Sequence, residues 1–240
     1  MLFYDLTLPS IEENLALDEA LLLCAEGRYH FPPLLDRPCL RVWETTAPAV
    51  VLGASNRLAE AVYQAACRQD RVPIARRLSG GGAVLLAPGC LNFSLILPYS
   101  PVLAPADTYF NRVLMPIVQA LRIQGLTIAP PSDLVWKNRK VSGNAQRRLA
   151  RYMLHHGTLL YQFPTELMER YLPMPQRQPA YRCGRSHTHF VTNLPLDRPA
   201  LVAGLQRAWQ AMEPAQDWPR DLVSHLLHLR YGRQEWVQRL

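Results

Sequence analysis

Three consecutive glycines follow a pair of arginines in residues 76–94, RRLSGGGAVLLAPGCLNFS. Glycine has no Cβ, so its backbone N–H group can approach an anion such as phosphate or carboxylate closely. Arg76 and Arg77 would add charge-assisted hydrogen bonds to such an anion. The stretch is neither a Walker A loop nor a GxGxxG fingerprint, because no GK[ST] follows and the flanking residues favour strands. Alone, it is equally consistent with an anion-binding loop and with a glycine-rich hairpin.

A second glycine-bearing stretch, KVSGNAQRR, occupies residues 140–148. Its Lys140 is one of only two lysines in the chain, against 24 arginines. A compact ammonium supplies a point charge that a planar guanidinium does not reproduce. Residues 137–151 carry six positive charges and no acidic residue. Two basic stretches rich in small residues within one domain favour convergence on an anionic ligand.

The third candidate stretch is MLHHGTLLY at residues 153–161. Neighbouring side chains on a strand point to opposite sides, so one of His155 and His156 is expected to face the core or a cleft and the other solvent. Two adjacent histidines on a regular strand cannot both reach one metal ion. We therefore do not predict a metal site at this histidine pair.

The elements that must position these stretches are mostly strands. A helix is predicted from Ser10 to Gly27, with Ser10 and Glu13 forming a capping box. Further helices are predicted at 58–70 and 106–124, the latter kinked at Pro116. Several strands follow one another directly, which indicates a mixed α/β or α+β domain rather than a doubly wound one. The predicted strands are residues 39–44, 49–53 (joined to 39–44 by a turn), 72–78, 82–87, 91–98, 126–136, 140–148 and 152–163.

Composition narrows the classes of protein. The chain has 240 residues and a net charge of +7, and it contains neither a membrane-length apolar run nor a secretory signal. Its five cysteines are scattered without a CxxC pair or zinc spacing, which predicts reduced thiols, a cytoplasmic location and no membrane association. The positive charge suits nucleic acid or an acidic protein, but no nucleic-acid-binding signature is present, so we predict no nucleic-acid partner.

The three stretches together, RRLSGGGAV, SDLVWKNRKVSGNAQRR and HHGTLL, resemble the catalytic domain of lipoate–protein ligase A and the related lipoyl/octanoyl transferases. NLALDEALL and WETTAPAVVLGASN resemble the early helix and strand pair of that family. The resemblance covers residues 10–165, and residues 165–240 form a helical C-terminal part. It implies a class II biotinyl/lipoyl-synthetase-like α+β fold. We therefore expect a single domain over residues 1–240, with a central mixed sheet flanked by helices and no separate accessory domain.

The resemblance also implies an activity, in which ATP activates lipoate to lipoyl-adenylate and the lipoyl group passes to a lysine of a lipoyl domain. Lys140 matches the family's essential lysine. Asp133 matches an acidic position near the nucleotide and Mg²⁺. The implied substrates and cofactor are lipoate, ATP and Mg²⁺. The residues that match the walls of the adenylate site are Arg77, Ser79, Gly80, Gly81, Gly82, Ala83, Val84, Ser142, Gly143, Ala145, His156, Gly157 and Thr158.

The partner that the resemblance implies is an acidic lipoyl-domain acceptor, such as an E2 subunit or a glycine-cleavage H protein, together with a separate accessory subunit. Two alternatives stay open, namely acyl transfer from a thioester and a catalytically silent protein that binds lipoate or lipoyl domains. The related transferases use a cysteine nucleophile, and their usual positions hold none here, which leaves Cys90 and Cys183 as candidates. The chain also departs from the family at Leu86, usually histidine, and at Cys90, usually asparagine.

Overall fold

The computed structural model of the protein describes residues 1–34, 36–100 and 106–240, with side chains from residue 109 in the last range. The strands are β1 Leu2–Asp5, β2 Cys39–Trp43, β3 Ala49–Leu52, β4 Ile74–Arg76, β5 Val84–Leu86, β6 Cys90–Pro98, β7 Thr127–Ala129, β8 Asp133–Trp136, β9 Arg139–Arg148, β10 Tyr152–Leu160 and β11 Glu213–Pro214. The helices are α1 Ile11–Ala25, α2 Leu58–Ala61, α3 Gln64–Gln69, α4 Ala106–Leu121, α5 Leu167–Tyr171, α6 His187–Phe190, α7 Arg198–Trp209, α8 Arg220–Leu226 and α9 Gln234–Gln238. A π-helical turn, Leu227–Tyr231, continues α8.

The predicted N-terminal helix is confirmed as α1, including its capping box. The Ser10 hydroxyl accepts a hydrogen bond from the Glu13 N–H at 3.1 Å, and the Glu13 carboxylate accepts one from the Ser10 N–H at 2.8 Å. These two bonds satisfy donors that the first turn of a helix leaves without partners. Leu17 and Leu21 are fully buried, so α1 is a core helix rather than a surface helix.

The strands form two sheets. Within the described residues, the larger sheet has eight strands in the order β11-β1-β2-β6-β10-β9-β8-β7, and the smaller has three in the order β4-β3-β5. The central mixed sheet flanked by helices is confirmed, because β1 pairs with β2 in parallel while β6, β10, β9 and β8 pair in antiparallel fashion. Two buried clusters cover the large sheet, one around α1 and one around α4 and α7.

The turn predicted at residues 46–48 does not join two paired strands. β2 lies between β1 and β6 in the large sheet, whereas β3 lies between β4 and β5 in the small one. Every residue of both strands is buried. Each strand is therefore an interior strand with its own two neighbours, and the residues between them carry the chain from one sheet to the other.

The triple glycine also does not form a hairpin. β4 pairs with β3 in parallel and β5 pairs with β3 in antiparallel fashion, so the glycines cross over the end of β3. A Cβ on Gly53, just after β3, would lie 2.0 Å from the Gly81 carbonyl oxygen. Gly81 itself has φ of 91°, a left-handed conformation that favours glycine. We call residues 79–84 the glycine loop.

The remaining helical predictions hold in outline. The predicted helix 58–70 is divided into α2 and α3, and α4 continues through Pro116 to Leu121. Among the residues described, no helix is both long enough and apolar enough to cross a bilayer.

Candidate functional site

A β-bulge in β9 determines which way Lys140 points. Lys140 pairs with Val135 and Ser142 pairs with Leu134, so Val141 is an extra residue with no partner across the ladder. The next pair is Asp133 with Gly143. Paired residues share a face of the sheet, as do alternate residues of one strand. Lys140 therefore lies on the same face as Asp133 and Gly143, which regular alternation would not allow.

On that face Lys140 and Asp133 form an ion pair. The Lys140 Nζ lies 2.8 Å from the Asp133 Oδ1, and 30% of the lysine side chain is exposed against 6% of the aspartate. The Tyr181 hydroxyl donates to the other carboxylate oxygen of Asp133 at 2.7 Å. Burial, reinforced by Asp133, raises the pKa of Tyr181 above its ordinary value, so the phenol stays a donor. Asp133 thus holds the Lys140 ammonium on one side, and the other side of the ammonium stays accessible.

Gly143 provides the space for the Lys140 side chain. A Cβ on Gly143 would lie 2.9 Å from the Lys140 Nζ and 3.0 Å from its Cε. The Gly143 N–H donates to the Thr158 hydroxyl at 3.4 Å, and Ala145 pairs with His156 across the ladder. Small residues on this face therefore leave room around the ammonium.

His156 connects the large sheet to the glycine loop. Its Nε2 lies 2.5 Å from the Ser79 hydroxyl oxygen, and its Nδ1 lies 3.5 Å from the Asp18 Oδ2. Asp18 is an acceptor at this contact, so Nδ1 carries a proton there, and Nε2 faces the Ser79 hydroxyl. The imidazole thus fixes the glycine loop over the face that carries Lys140.

Asp18 is a buried carboxylate with a buried counter-ion. The Arg41 guanidinium donates to its Oδ1 at 2.7 Å, and the Ser94 hydroxyl donates to its Oδ2 at 2.7 Å. Burial alone would raise the pKa of Asp18, but Arg41, His156 and Ser94 together hold that pKa below its ordinary value. A chain of polar contacts therefore runs from β2 through α1 to His156 and the glycine loop.

The glycine loop is organised by Arg77. Its guanidinium donates to the Ser79 hydroxyl at 3.0 Å and to the carbonyl oxygens of Gly80 and Gly82 at 2.6 and 2.9 Å. Burial lowers the pKa of Arg77 to about 10, which leaves it charged at neutral pH. The sequence-based expectation that Arg77 donates directly to a ligand is therefore replaced by a role inside the loop.

The backbone N–H groups of the loop are left for other partners. Gly80, Gly81 and Gly82 are exposed, and Ala83 and Val84 are partly buried. In the part of the chain that the structure describes, the N–H groups from Gly80 to Ala83 donate no hydrogen bond. Exposed, unbonded N–H groups in consecutive residues form the kind of concavity that binds anions.

Ser142 and Gly157, predicted as wall residues, lie on the opposite face of the sheet. The Ser142 hydroxyl accepts from the Asn144 amide at 3.0 Å. A Cβ on Gly157 would lie 1.9 Å from the Asn144 Oδ1, so the missing side chain makes room for that amide rather than for a ligand. The bulge explains the position of Ser142, because it shifts the alternation of β9 by one residue, whereas Gly157 alternates regularly with His156 and Thr158 on β10.

The histidine pair differs from expectation in one respect, since neither histidine faces solvent. His155 is completely buried on the opposite face, between Gln146 and Asn144, and its ring lies 6.0 Å from that of Phe93. Burial, with a smaller effect of His156, lowers the pKa of His155 to about 3. His155 is therefore a neutral core residue.

The two candidate nucleophiles differ in exposure. Cys90 is completely buried, and burial, with a smaller effect of Glu44, raises its pKa above the ordinary thiol value. Cys183 is exposed, with φ of 51°, immediately after the turn that carries Tyr181. Leu86, the other departure from the family pattern, is buried. Cys183 is thus the only one of the chain's five cysteines that a thioester could reach.

The assignment of Mg²⁺ to Asp133 stays a prediction. Both of its oxygens are engaged, by Lys140 and by Tyr181. Among the described residues, no group of three or more His, Cys, Asp and Glu side chains lies close enough together to hold a metal ion. An ion at Asp133 would share its two oxygens with the ammonium and the phenol, so Asp133 alone offers only part of a magnesium site.

Sequence reasoning missed Asp18, Arg41 and Tyr181. The first lies within NLALDEALL, where an acid inside an otherwise apolar helical stretch was the only local signal. Tyr181 precedes a segment that is hydrogen-bonded to β9, where the Thr192 N–H donates to the Lys140 carbonyl at 2.9 Å. No sequence pattern predicts such a contact between positions far apart in the chain.

Known proteins resemble this chain in sequence. It is 32% identical over 118 residues to lipoate-protein ligase LplJ of Bacillus subtilis (strain 168), covering 48% of this chain and 34% of that protein. It is 31% identical over 151 residues to lipoate–protein ligase 1 of Staphylococcus aureus (strain Mu50 / ATCC 700699), covering 61% and 42%. The chain thus spans about a third to two fifths of these ligases. Octanoyltransferase LipM of Carboxydothermus hydrogenoformans is 25% identical over 260 aligned positions, covering 95% and 94%.

Solved structures share the fold. A bi-partite lipoate protein ligase from Thermoplasma acidophilum, described with its E2 lipoyl domain, superposes with a TM-score of 0.80 at 23% identity, covering 100% of this chain and 96% of that one. A lipoate-protein ligase A bound with ATP gives 0.81 at 21% identity, covering 99% and 98%. The sequence model described as the lipoyl protein ligase A/B catalytic domain matches residues 10–203. The chain therefore belongs to the lipoyl protein ligase A/B catalytic domain family.

Proposed function

We propose that the chain is a lipoate–protein ligase that activates lipoate with ATP and passes the lipoyl group to a lysine of a lipoyl-domain protein. The main observation behind this proposal is the glycine loop, whose exposed N–H groups are unbonded. Ser79 hydrogen-bonds the loop to His156, which lies on the same face of the large sheet as Lys140. Membership of the family and the ATP bound to a protein of the same fold support this proposal.

In the first half-reaction, a carboxylate oxygen of lipoate attacks the α-phosphorus of ATP. A carboxyl–phosphate bond forms and the bond to pyrophosphate breaks. Negative charge is concentrated on the carboxylate and the α-phosphate, so a fixed cation and oriented N–H donors lower the barrier electrostatically. In the proposed site Lys140 supplies the cation and the glycine loop supplies the donors.

In the second half-reaction, the amine of the acceptor lysine attacks the acyl carbon. The bond to the phosphate oxygen breaks, AMP leaves with the bonding electrons, and the attacking nitrogen loses a proton. The Lys140 ammonium stabilises charge on the departing phosphate. Its ion pair with Asp133 holds the ammonium in place before the substrate oxygens arrive.

The chain contains its own matched control for Lys140. Lys137, the only other lysine, lies in the turn before β9 with its Nζ 4.2 Å from the centre of the Trp136 ring. We expect Lys140→Arg to abolish lipoylation and Lys137→Arg to leave it unchanged, because only Lys140 has to supply a point charge in the site.

The assay incubates the protein with ATP, a magnesium salt, lipoate and an acidic lipoyl domain, and weighs the domain by mass spectrometry. The proposal predicts an added lipoyl group in the wild type and in Lys137→Arg but none in Lys140→Arg. Failure of the wild type to add mass, with and without an accessory protein, would rule out the ligase. Activity in Lys140→Arg would contradict the role given to Lys140.

The proposed acceptor is acidic and the proposed complete ligase includes a separate accessory subunit. The net charge of +7 favours association with an acidic domain by electrostatic steering. The solved structure described as a bi-partite ligase supports a second subunit. We expect the lipoylation rate to fall as salt rises from 50 to about 500 mM, and a rate independent of salt would contradict an electrostatic acceptor contact.

Octanoyl transfer from a thioester is the second candidate, because the octanoyltransferase LipM matches this chain over nearly the full length of both. Such a transferase needs a thiolate, and of the candidates only Cys183 is exposed. Incubation with octanoyl-carrier protein would leave an octanoyl adduct on Cys183 if this candidate holds. The ligase proposal instead predicts no adduct, and full lipoylation activity in Cys183→Ala.

A further inference from the structure

Arg76, the neighbour of the loop-organising Arg77, is a buried cation whose side chain, within the described residues, donates its hydrogen bonds to carbonyl oxygens. It is completely buried, and its guanidinium donates to Gly53 O at 3.0 Å, Asn56 O at 2.7 Å and Val237 O at 2.5 Å. None of the ion pairs in the described parts of the chain includes it. A buried charge is costly unless it is fully hydrogen-bonded, so Arg76 holds residues 53–56 and the C-terminal helix α9 together.

The C-terminal helix also contacts Arg76 in return. The Trp236 indole N–H donates to the Arg76 carbonyl at 2.8 Å. The Arg239 guanidinium carbon lies 3.8 Å from the centre of the Trp236 ring, and Arg239 donates to Ala54 O at 2.5 Å. Helix α9 is therefore bonded both to the end of β4 and to residues 53–56.

Residues 53–56 contact the glycine loop directly. The Ala54 N–H donates to the Ser79 carbonyl at 2.8 Å, and the Arg77 N–H donates to the Leu52 carbonyl at 2.9 Å. Gly53 approaches Gly81 so closely that a Cβ would overlap its oxygen. A displacement of residues 53–56 therefore displaces the glycine loop.

We infer that Arg76 and helix α9 are positioning elements of the glycine loop. Arg76 contacts no substrate, and it acts by joining α9 to the loop's support. The inference rests on the proposed function insofar as the glycine loop binds the activated acid. If the loop is displaced in part of the protein molecules, only the remaining fraction can bind lipoate. The apparent affinity for lipoate then falls in proportion to that fraction, while the turnover of the bound complex is unchanged.

Trp236→Phe is the central test, because it removes the N–H donor to Arg76 and keeps an aromatic ring beside Arg239. We expect hydrogen exchange to accelerate at the amides of Ala54 and Arg77, and the KM for lipoate to rise about tenfold in ATP–pyrophosphate exchange, with kcat changed less than about twofold. Arg76→Lys should act in the same direction. Gln238→Ala, on the same helix with its side chain bonded to Gln234, is the matched control and should match the wild type.

Each outcome separates the inference from the proposed function. Unchanged exchange at Ala54 and Arg77 in a folded Trp236→Phe protein, checked by circular dichroism, would overturn the inference. Equal falls in kcat and in protein stability without a change in KM would also overturn it, because that pattern describes a purely structural residue. Accelerated exchange in a protein whose wild type forms no adenylate would uphold the positioning role and reject the ligase.

Discussion

Replacing Gly143 by alanine tests whether the position of the Lys140 ammonium controls activity. The new Cβ would lie 2.9 Å from Nζ and 3.0 Å from Cε of Lys140. Non-bonded heavy atoms of these types prefer about 3.5 Å, so the ammonium must move by about 0.5 Å or more. The obstacle is the free end of a flexible side chain, and Gly143 has no left-handed φ that would make alanine strained. The strand itself can therefore stay in place.

The expected loss of activity follows from that displacement. A misplacement of about 1 Å in a catalytic site costs about a hundredfold in rate. A shift of about 0.5 Å therefore predicts roughly a tenfold loss of adenylate formation, equivalent to about 1.4 kcal/mol in the activation free energy. The free energy of unfolding should change by less than about 1 kcal/mol. Alanine in place of glycine at an unstrained strand position lowers the backbone entropy of the unfolded chain, which offsets the cost of moving the lysine side chain.

The assay measures ATP–pyrophosphate exchange with lipoate, and urea unfolding of the same preparation. Gly143→Ser, with a larger side chain, should lose more activity than Gly143→Ala. An alanine variant with wild-type exchange would refute the argument that Lys140 needs this space. So would an activity loss that parallels a large loss of stability, since the defect would then lie in the fold.

Three further perturbations test the packing around the site. Gly157→Ala should lower the free energy of unfolding by about 1–3 kcal/mol, because its Cβ would overlap the Asn144 amide; an unchanged urea midpoint would contradict this. His155 has a folded pKa of about 3 against 6.5 unfolded, so stability should fall as pH drops from 6.5 toward 3, by at most about 1.4 kcal/mol per pH unit. His155→Gln should flatten that decline, and equal slopes would contradict it. Asp18→Asn should cost about 3–5 kcal/mol, because it leaves Arg41 buried without a counter-ion; a loss below 1 kcal/mol in urea unfolding would contradict this.

The parts of the fold that depend on local sequence could be predicted. The Ser10–Glu13 capping box and the helix that follows are local interactions, and both are present. Gly143 does lie beside Lys140, Ala145 lies opposite His156, and the glycine loop does reach the histidine strand through Ser79. The capping box depends on local sequence alone, whereas Gly143 shares a face with Lys140 because of the bulge at Val141.

The predictions that were wrong depend on strand register and on contacts between residues far apart in the sequence. Regular alternation places Ser142 with Lys140, but the extra Val141 reverses the order after the bulge. Arg76 and Arg77 look equivalent in sequence, yet one reaches α9 and the other the glycine loop. Trp236 and Arg76 are in contact although 160 positions separate them in the sequence, and no local sequence pattern predicts such a contact.

The two walls of the proposed site belong to different sheets. The glycine loop connects strands of the small sheet, while Lys140 and His156 lie on the large one. Strands of both sheets contribute to one buried apolar cluster, which includes Leu52 and Leu154, so the separation of the walls depends on that cluster. Substitutions in the cluster would change the distance between the walls without touching a wall residue.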